Sequence, residues 1–159
     1  MSPKDQRSRP FETPPRETIP GISAVHVAAM EASDEGPQWG EPYMRNLLLR
    51  VVGRKSGKEQ KVALPYWEDE DDQKYVVASF SGAPAHPAWN LNLSDRDANP
   101  EVFVKERGET YWAEAQVLDG DEYARIWAGL TADRPFYNDY QAATERRIPL
   151  VRLVKVRPV

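Results

Sequence analysis

Cysteine is absent from this chain of 159 residues, which excludes a disulfide framework, a thiolate-bound zinc and a cysteine nucleophile. Histidine is nearly absent too. His26 and His86 are the two present, too few and too far apart for an all-histidine metal site, so no metal is expected. No run approaches the roughly 18 apolar residues of a membrane span. The opening MSPKDQRSRPF lacks the apolar stretch of a secretory signal, so cytoplasmic residence is the expectation. Positive charge is not in excess: 21 basic residues face 25 acidic ones for a net −4. That balance argues against whole-surface binding to nucleic acid.

The charge that is present is unevenly placed. Arg45, Arg50, Arg54, Lys55, Lys58 and Lys61 share a short segment with a single acid, Glu59, whereas residues 68–72 read EDEDD. Residues 1–20 carry five of the fourteen prolines and, lacking donors at those positions, are expected to form a flexible arm. Residues 21–44 are expected to hold a short helix and linker, a candidate lid, and residues 45–159 the folded body. In that body NLLLRVV (46–52) is an apolar run ended by Gly53, consistent with a buried strand. GRKSGKEQ is a hairpin connection, and 61–67, 74–80, 101–106, 109–118 and 148–156 supply further strands. A short helix is expected at 88–93 behind Pro87. Another follows Asp119, with Glu122 placed for a capping box and Tyr123, Ile126, Trp127 and Leu130 forming one stripe. A third is expected at 137–144. About six strands, mostly in antiparallel hairpins, with two or three connecting helices predict a mainly β (α+β) barrel or strongly coiled sheet.

Three constellations carry chemistry. GRKSGK fails as the phosphate loop of nucleotide hydrolases: only Arg54, Lys55 and Ser56 separate its glycines, and it joins two strands instead of opening a helix. It is either an anion site built from turn amides and cations or a solvated basic hairpin. Ser79 to Trp89 joins a strand-end serine to a Gly/Pro loop and an aromatic able to wall a flat ring. A Ser79–His86 dyad lacks the G-x-S-x-G setting of a nucleophile elbow. Tyr137 and Tyr140 share a helix face and offer hydroxyl donors, or simply pack.

Taken in order, L-L-x-x-x-G-R-K-S-G-K, L-P-Y, V-V-A-S, G-A-P-x-H-P-A-W-x-x-N-L, A-N-P-E-V, Y-x-D-Y-Q and R-x-I-P-L-V resemble the deazaflavin-dependent nitroreductase family of actinobacteria over residues 45–153. The resemblance implies a six-stranded split β-barrel, similar to flavin-binding pyridoxamine-phosphate-oxidase-like proteins, and reduced coenzyme F420 as cofactor, with FMN the alternative. It implies that Arg54, Lys55, Ser56 and Lys58 hold the phosphate, and that Ala63 and Pro65 line the ring. Ser79, Pro87, Trp89 and Asn92 close the ring pocket, while Tyr66, Ser79, Tyr137 and Tyr140 face the substrate. The implied activity is hydride transfer to a small electron-poor acceptor: a quinone, an activated enone or a nitroaromatic. Lipid-soluble quinones would place the protein at the inner face of the membrane, and split barrels often pair as homodimers. Other readings of the same chain are a non-catalytic deazaflavin or flavin carrier or sensor, and a ligand-free dimeric module.

The chain departs from its relatives at three places. Phe80-Ser81-Gly82 stands where many carry Lys-Gly-Gly, Gln60 where many carry Arg, and Arg134 where a tyrosine is common. The first two remove phosphate anchors. The third is expected to make the substrate pocket more cationic.

Overall fold

The computed structural model describes residues 5–159; residues 1–4 of the expected arm lie outside them. Helix α1 spans Ile19–Ala32 and is followed by β1 (Gly40–Glu41), β2 (Met44–Val52), β3 (Glu59–Glu68) and β4 (Lys74–Val77). Then come α2 (Ala88–Leu93), β5 (Val102–Glu106), β6 (Glu109–Val117), α3 (Gly120–Asp133), α4 (Phe136–Ala142) and β7 (Leu150–Pro158). The sheet order is β1-β2-β3-β4-β7-β6-β5. A second antiparallel pairing of β2 with β5, through Leu48–Lys105, Leu49–Val104 and Arg50–Phe103, closes six strands into a barrel with β1 as a small flap.

Period-2 alternation decides which side chains fill the barrel. Leu47, Leu49 and Val51 of β2 meet Val102, Val104, Tyr111, Ala113, Val151 and Leu153 inside. Leu48 points the other way and is covered by Val27 and Met30 of α1 together with Trp39. On the opposite outer face the α3 stripe of Tyr123, Ile126 and Leu130 packs over Trp67, Tyr75, Val77 and Leu150. Two cores therefore share β3 and β4: Tyr66 belongs to the interior and Trp67 to the outer layer.

Several boundaries differ from those expected. α1 begins before residue 21 because Pro20 falls in its first turn, where a missing amide costs nothing. β4 stops at Val77 instead of running to Phe80, because Phe80 and Ser81 adopt φ of 44° and 53°, the left-handed region a strand cannot enter. The Asp119 side chain makes no capping bond; Glu122 instead accepts from Arg152 Nη2 at 2.9 Å. The acidic run is a turn, organised by Asp69 Oδ1, which accepts from the amides of Asp71 and Gln73.

Residues before α1 lie along the barrel. Gln6 exchanges two 2.8 Å bonds with the backbone of Glu68, the Ser8 amide donates to Asp133 O, and Phe11 stands edge-on to Phe136. Among the described residues no helix is long and apolar enough to cross a membrane.

Candidate functional site

The turn between β2 and β3 is stitched by its own backbone and by a side chain of α2. Gly53 N donates to Lys58 O (2.8 Å) and Gly57 N to Gly53 O (2.9 Å), while Ser56 Oγ accepts from the Lys58 amide. Gly57 sits at φ 69°, a conformation that costs glycine little and other residues roughly 1–2 kcal/mol. Arg54 is pinned through its amide and Nη1 to Asn92 Oδ1, at 3.1 and 2.7 Å. Asn92 Nδ2 in turn donates to Gln60 Oε1 (2.6 Å). Asn99 anchors the base of this arrangement, donating to Val52 O and Asn92 O and accepting from Val52 N.

Two neighbouring cations are spoken for, Arg50 by Glu59 and Lys61 by Glu31. Among the described residues Lys55 and Lys58 have no ion pair, and the amides of Lys55 and Ser56 donate to no protein acceptor. Arg54, Lys55, Ser56 and Lys58 are thus gathered on one exposed turn with a donor set suited to a phosphate.

The residues assigned to the ring are more dispersed. Ala63 and Pro65 lie half-buried on β3. The Ala63 amide donates to Ser23 Oγ of α1 (3.0 Å), so α1 lies against this part of the strand. Pro87 caps α2, and Trp89 is only 5% exposed because it plugs the barrel interior. Asn92 is the α2 residue that reaches the hairpin.

Ser79 opens a loop gathered by one side chain. Arg146 donates to Ala78 O (3.0 Å), Ser79 O (2.8 Å) and Ala83 O (2.7 Å), and lies 3.0 Å from His86 Nδ1. Sequence reasoning included Arg146 in R-x-I-P-L-V without a role; its acceptors are more than sixty residues earlier in the chain. Phe80 and Ser81 are left-handed there, a backbone cost of roughly 1–2 kcal/mol each. Gly82 must remain glycine, since at φ 78° its missing Cβ would lie 2.6 Å from Tyr140 O. That close approach presses the loop onto α4. The Tyr140 hydroxyl is 2.8 Å from Thr13 Oγ1, and Arg16 donates to Ser81 O. Residues 13–16 therefore lie over the loop and α4, a feature with no signal in the sequence beyond proline richness.

Tyr137 and Tyr140 are neighbours, with ring centroids 6.0 Å apart, but Tyr137 is buried in the outer core. Tyr66 is inside the barrel on the other side of β3. The four hydroxyls expected at the substrate thus divide: Ser79, Tyr137 and Tyr140 around the loop and α4, and Tyr66 apart from them. Arg134, expected to add charge to the substrate pocket, lines a small cavity with Gln6, Tyr43, Arg45, Tyr66 and Glu68, which includes none of Ser79, Tyr137 and Tyr140. Arg134 is 1% exposed, and its guanidinium donates to the carbonyls of Gln6 (3.2 Å), Tyr43 (3.1 Å) and Tyr66 (3.0 Å).

His86 gives the loop a pH response. Burial, then the charge of Arg146, lowers its pKa from the usual 6.5. To accept from Arg146, Nδ1 must be unprotonated. The unfolded chain therefore binds this proton more readily than the folded one, so the contribution is complete above pH 6.5 and is lost as pH falls below it. Amide exchange of residues 78–86 is expected to quicken between pH 7 and 5 relative to the barrel strands, after correction for intrinsic rates. Exchange in His86→Gln should lack that relative change; the same change in the variant would remove His86 as the cause.

Comparison with known proteins bears on the fold and the family. The family model of F420H(2)-dependent quinone reductase matches residues 24–155. The F420H(2)-dependent quinone reductase Rv1261c of Mycobacterium tuberculosis is 32% identical over 113 residues, 69% of this chain and 73% of that protein. Among solved structures, an F420-H2 dependent reductase (FDR-A) is 33% identical with a TM-score of 0.57, covering 68% of this chain and 92% of its own. A structure described as a domain-swapped dimer is 28% identical with a TM-score of 0.60, covering 84% and 98%. A closed barrel bearing a cationic hairpin and matched over most of its length in this way places the chain in the F420H(2)-dependent quinone reductase family, as an F420H2-dependent reductase whose cofactor is coenzyme F420.

Proposed function

We propose that this protein reduces a small quinone, with activated enones and nitroaromatics as further acceptors. The observation that carries the reading is the turn on which Arg54, Lys55 and Lys58 stand without protein counter-charges, with Arg54 already oriented by Asn92. These residues and Ser56 would hold the phosphate of F420, and Ala63, Pro65, Pro87, Trp89 and Asn92 would border its ring. When bound in reduced form, the cofactor supplies a hydride. The chain's own part is to seat the acceptor, exclude water and place hydroxyl donors at the oxygen that gains charge. Ser79 and Tyr140 fit that role, and Tyr137 supports the ring of Tyr140 from beneath. Residues 13–16 and α1 form a cover over the site, and a second copy of this chain is the proposed protein partner, testable by light scattering. At the membrane, α1 would present Val25 and Ile22, 69% and 40% exposed, but it has no Lys or Arg to meet anionic lipid.

Titration with F420 followed by turnover with menadione and 2-cyclohexenone tests the reading. Binding with oxidation of reduced F420 by menadione is expected; binding without turnover over both acceptors would overturn it. Lys55→Ala is expected to weaken F420 binding about tenfold, the worth of one charge-assisted contact, with unchanged affinity removing the phosphate assignment. Tyr140→Phe should lower kcat roughly tenfold or more while leaving F420 affinity near that of the parent. The opposite split would make Tyr140 a cofactor contact.

A further inference from the structure

A second concavity lies at the other end of β2 from the cationic hairpin. It is a cleft of about 370 Å3 whose lining includes Trp39, Glu41, Pro42, Arg45, Tyr66 and Glu106. Arg45 is the second residue of β2 and the hairpin follows its end, a separation of roughly 25 Å along the strand. The volume falls in the range of small-molecule sites.

Most charges around the cleft are already matched. Glu106 accepts from Lys74 Nζ (2.7 Å) and from the Tyr111 hydroxyl (2.6 Å), and Arg107 pairs with Glu35. Arg45 is different: it is exposed and, among the described residues, meets no carboxylate. Arg45 and Tyr66 both line the cleft; the Tyr66 pKa is pushed up to about 12 by burial and then by the charge of Glu106. The phenol therefore keeps its proton at neutral pH. Among the described residues that hydroxyl donates to no protein acceptor, so its proton is available to a ligand. Two donors, one charged, converge at the mouth of a cleft with an indole in its wall.

We propose that this cleft binds a planar monocarboxylate, the carboxylate bridging the Arg45 guanidinium and the Tyr66 hydroxyl and the ring lying against Trp39. The nearby carboxylates of Glu41 and Glu106 oppose a second negative charge, so phosphate is disfavoured. The site does not depend on the deazaflavin reading and is tested without that cofactor. Full-length protein is titrated with 2-naphthoate and followed by the indole and amide NMR signals. A saturable shift of the Trp39 indole is expected, with affinity about tenfold lower in Arg45→Gln and about threefold lower in Tyr66→Phe. Affinity should be unchanged in Arg125→Gln, a distant exposed arginine. 2-Naphthamide and inorganic phosphate should not compete. Absence of a saturable shift at millimolar naphthoate, equal binding of the amide, or full affinity in Arg45→Gln would each overturn the proposal. Arg45 is exposed, so its replacement leaves the fold intact.

Discussion

Arg134→Ala is expected to cost about 3–5 kcal/mol of folding stability, measured by urea unfolding. The buried guanidinium joins the backbone of three segments otherwise remote from one another, at Gln6, Tyr43 and Tyr66. Its own pKa is lowered by burial, with the tyrosines 137 and 66 and Asp133 acting the other way, yet an arginine stays charged. The charge is stabilised by the three carbonyl dipoles together with Tyr137 and the nearby carboxylate of Asp133. Alanine leaves three carbonyls without their donor and a space the size of the side chain, and both effects are destabilising. Arg134→Met restores much of the volume but none of the bonds, so it should recover only part of the loss. A cost below about 1 kcal/mol for Arg134→Ala would mean that water replaces the guanidinium at little expense.

Arg146→Ala should have the largest effect on turnover, lowering kcat/KM by about a hundredfold, which corresponds to 2.7 kcal/mol. One planar fork holds Ala78, Ser79 and Ala83 by their carbonyls and His86 by its ring nitrogen. It does so across a loop whose residues 80 and 81 are left-handed. Without that hold the strained turn has reason to relax, carrying the Ser79 hydroxyl away from the place proposed above for the acceptor. Small displacements of a positioned group are costly in rate. Arg146→Lys should rescue only weakly, because an ammonium cannot span four acceptors in a plane. Steady-state kinetics with menadione distinguish this role: the effect should fall mainly on kcat. A change confined to KM, or full rescue by lysine, would show that the loop is held by other means.

The barrel was legible because its signals are local. The apolar run of β2, the alternation along β6 and the glycines at 53, 57 and 108 placed the hairpins in order. The cationic turn could be read for the same reason, since Arg54, Lys55 and Lys58 are adjacent in the chain and nothing acidic but Glu59 lies close by. Failures arose where distance decided. Phe80 gives no sign of a left-handed backbone, so β4 was drawn too long. Glu122 suited a cap, but Arg152 offered a full charge and took it. The spacing of Tyr137 and Tyr140 showed a common helix face but not that the outer core would swallow one of them. The backbone-clamping role of Arg134 was illegible because its acceptors, up to 128 residues away, leave no trace in neighbouring residues.

The closure of the barrel through Leu48–Arg50 and Phe103–Lys105 bears on how the chain reaches this structure. Two seams unite distant segments: β2 with β5, separated by about a third of the chain, and β4 with β7, separated by about half of it. Joining them requires a large loop-closure entropy before any contact compensates for it. Maturation therefore waits on both encounters, and until β2 meets β5, Leu49 and Val104 stand open to water and to other unfinished copies.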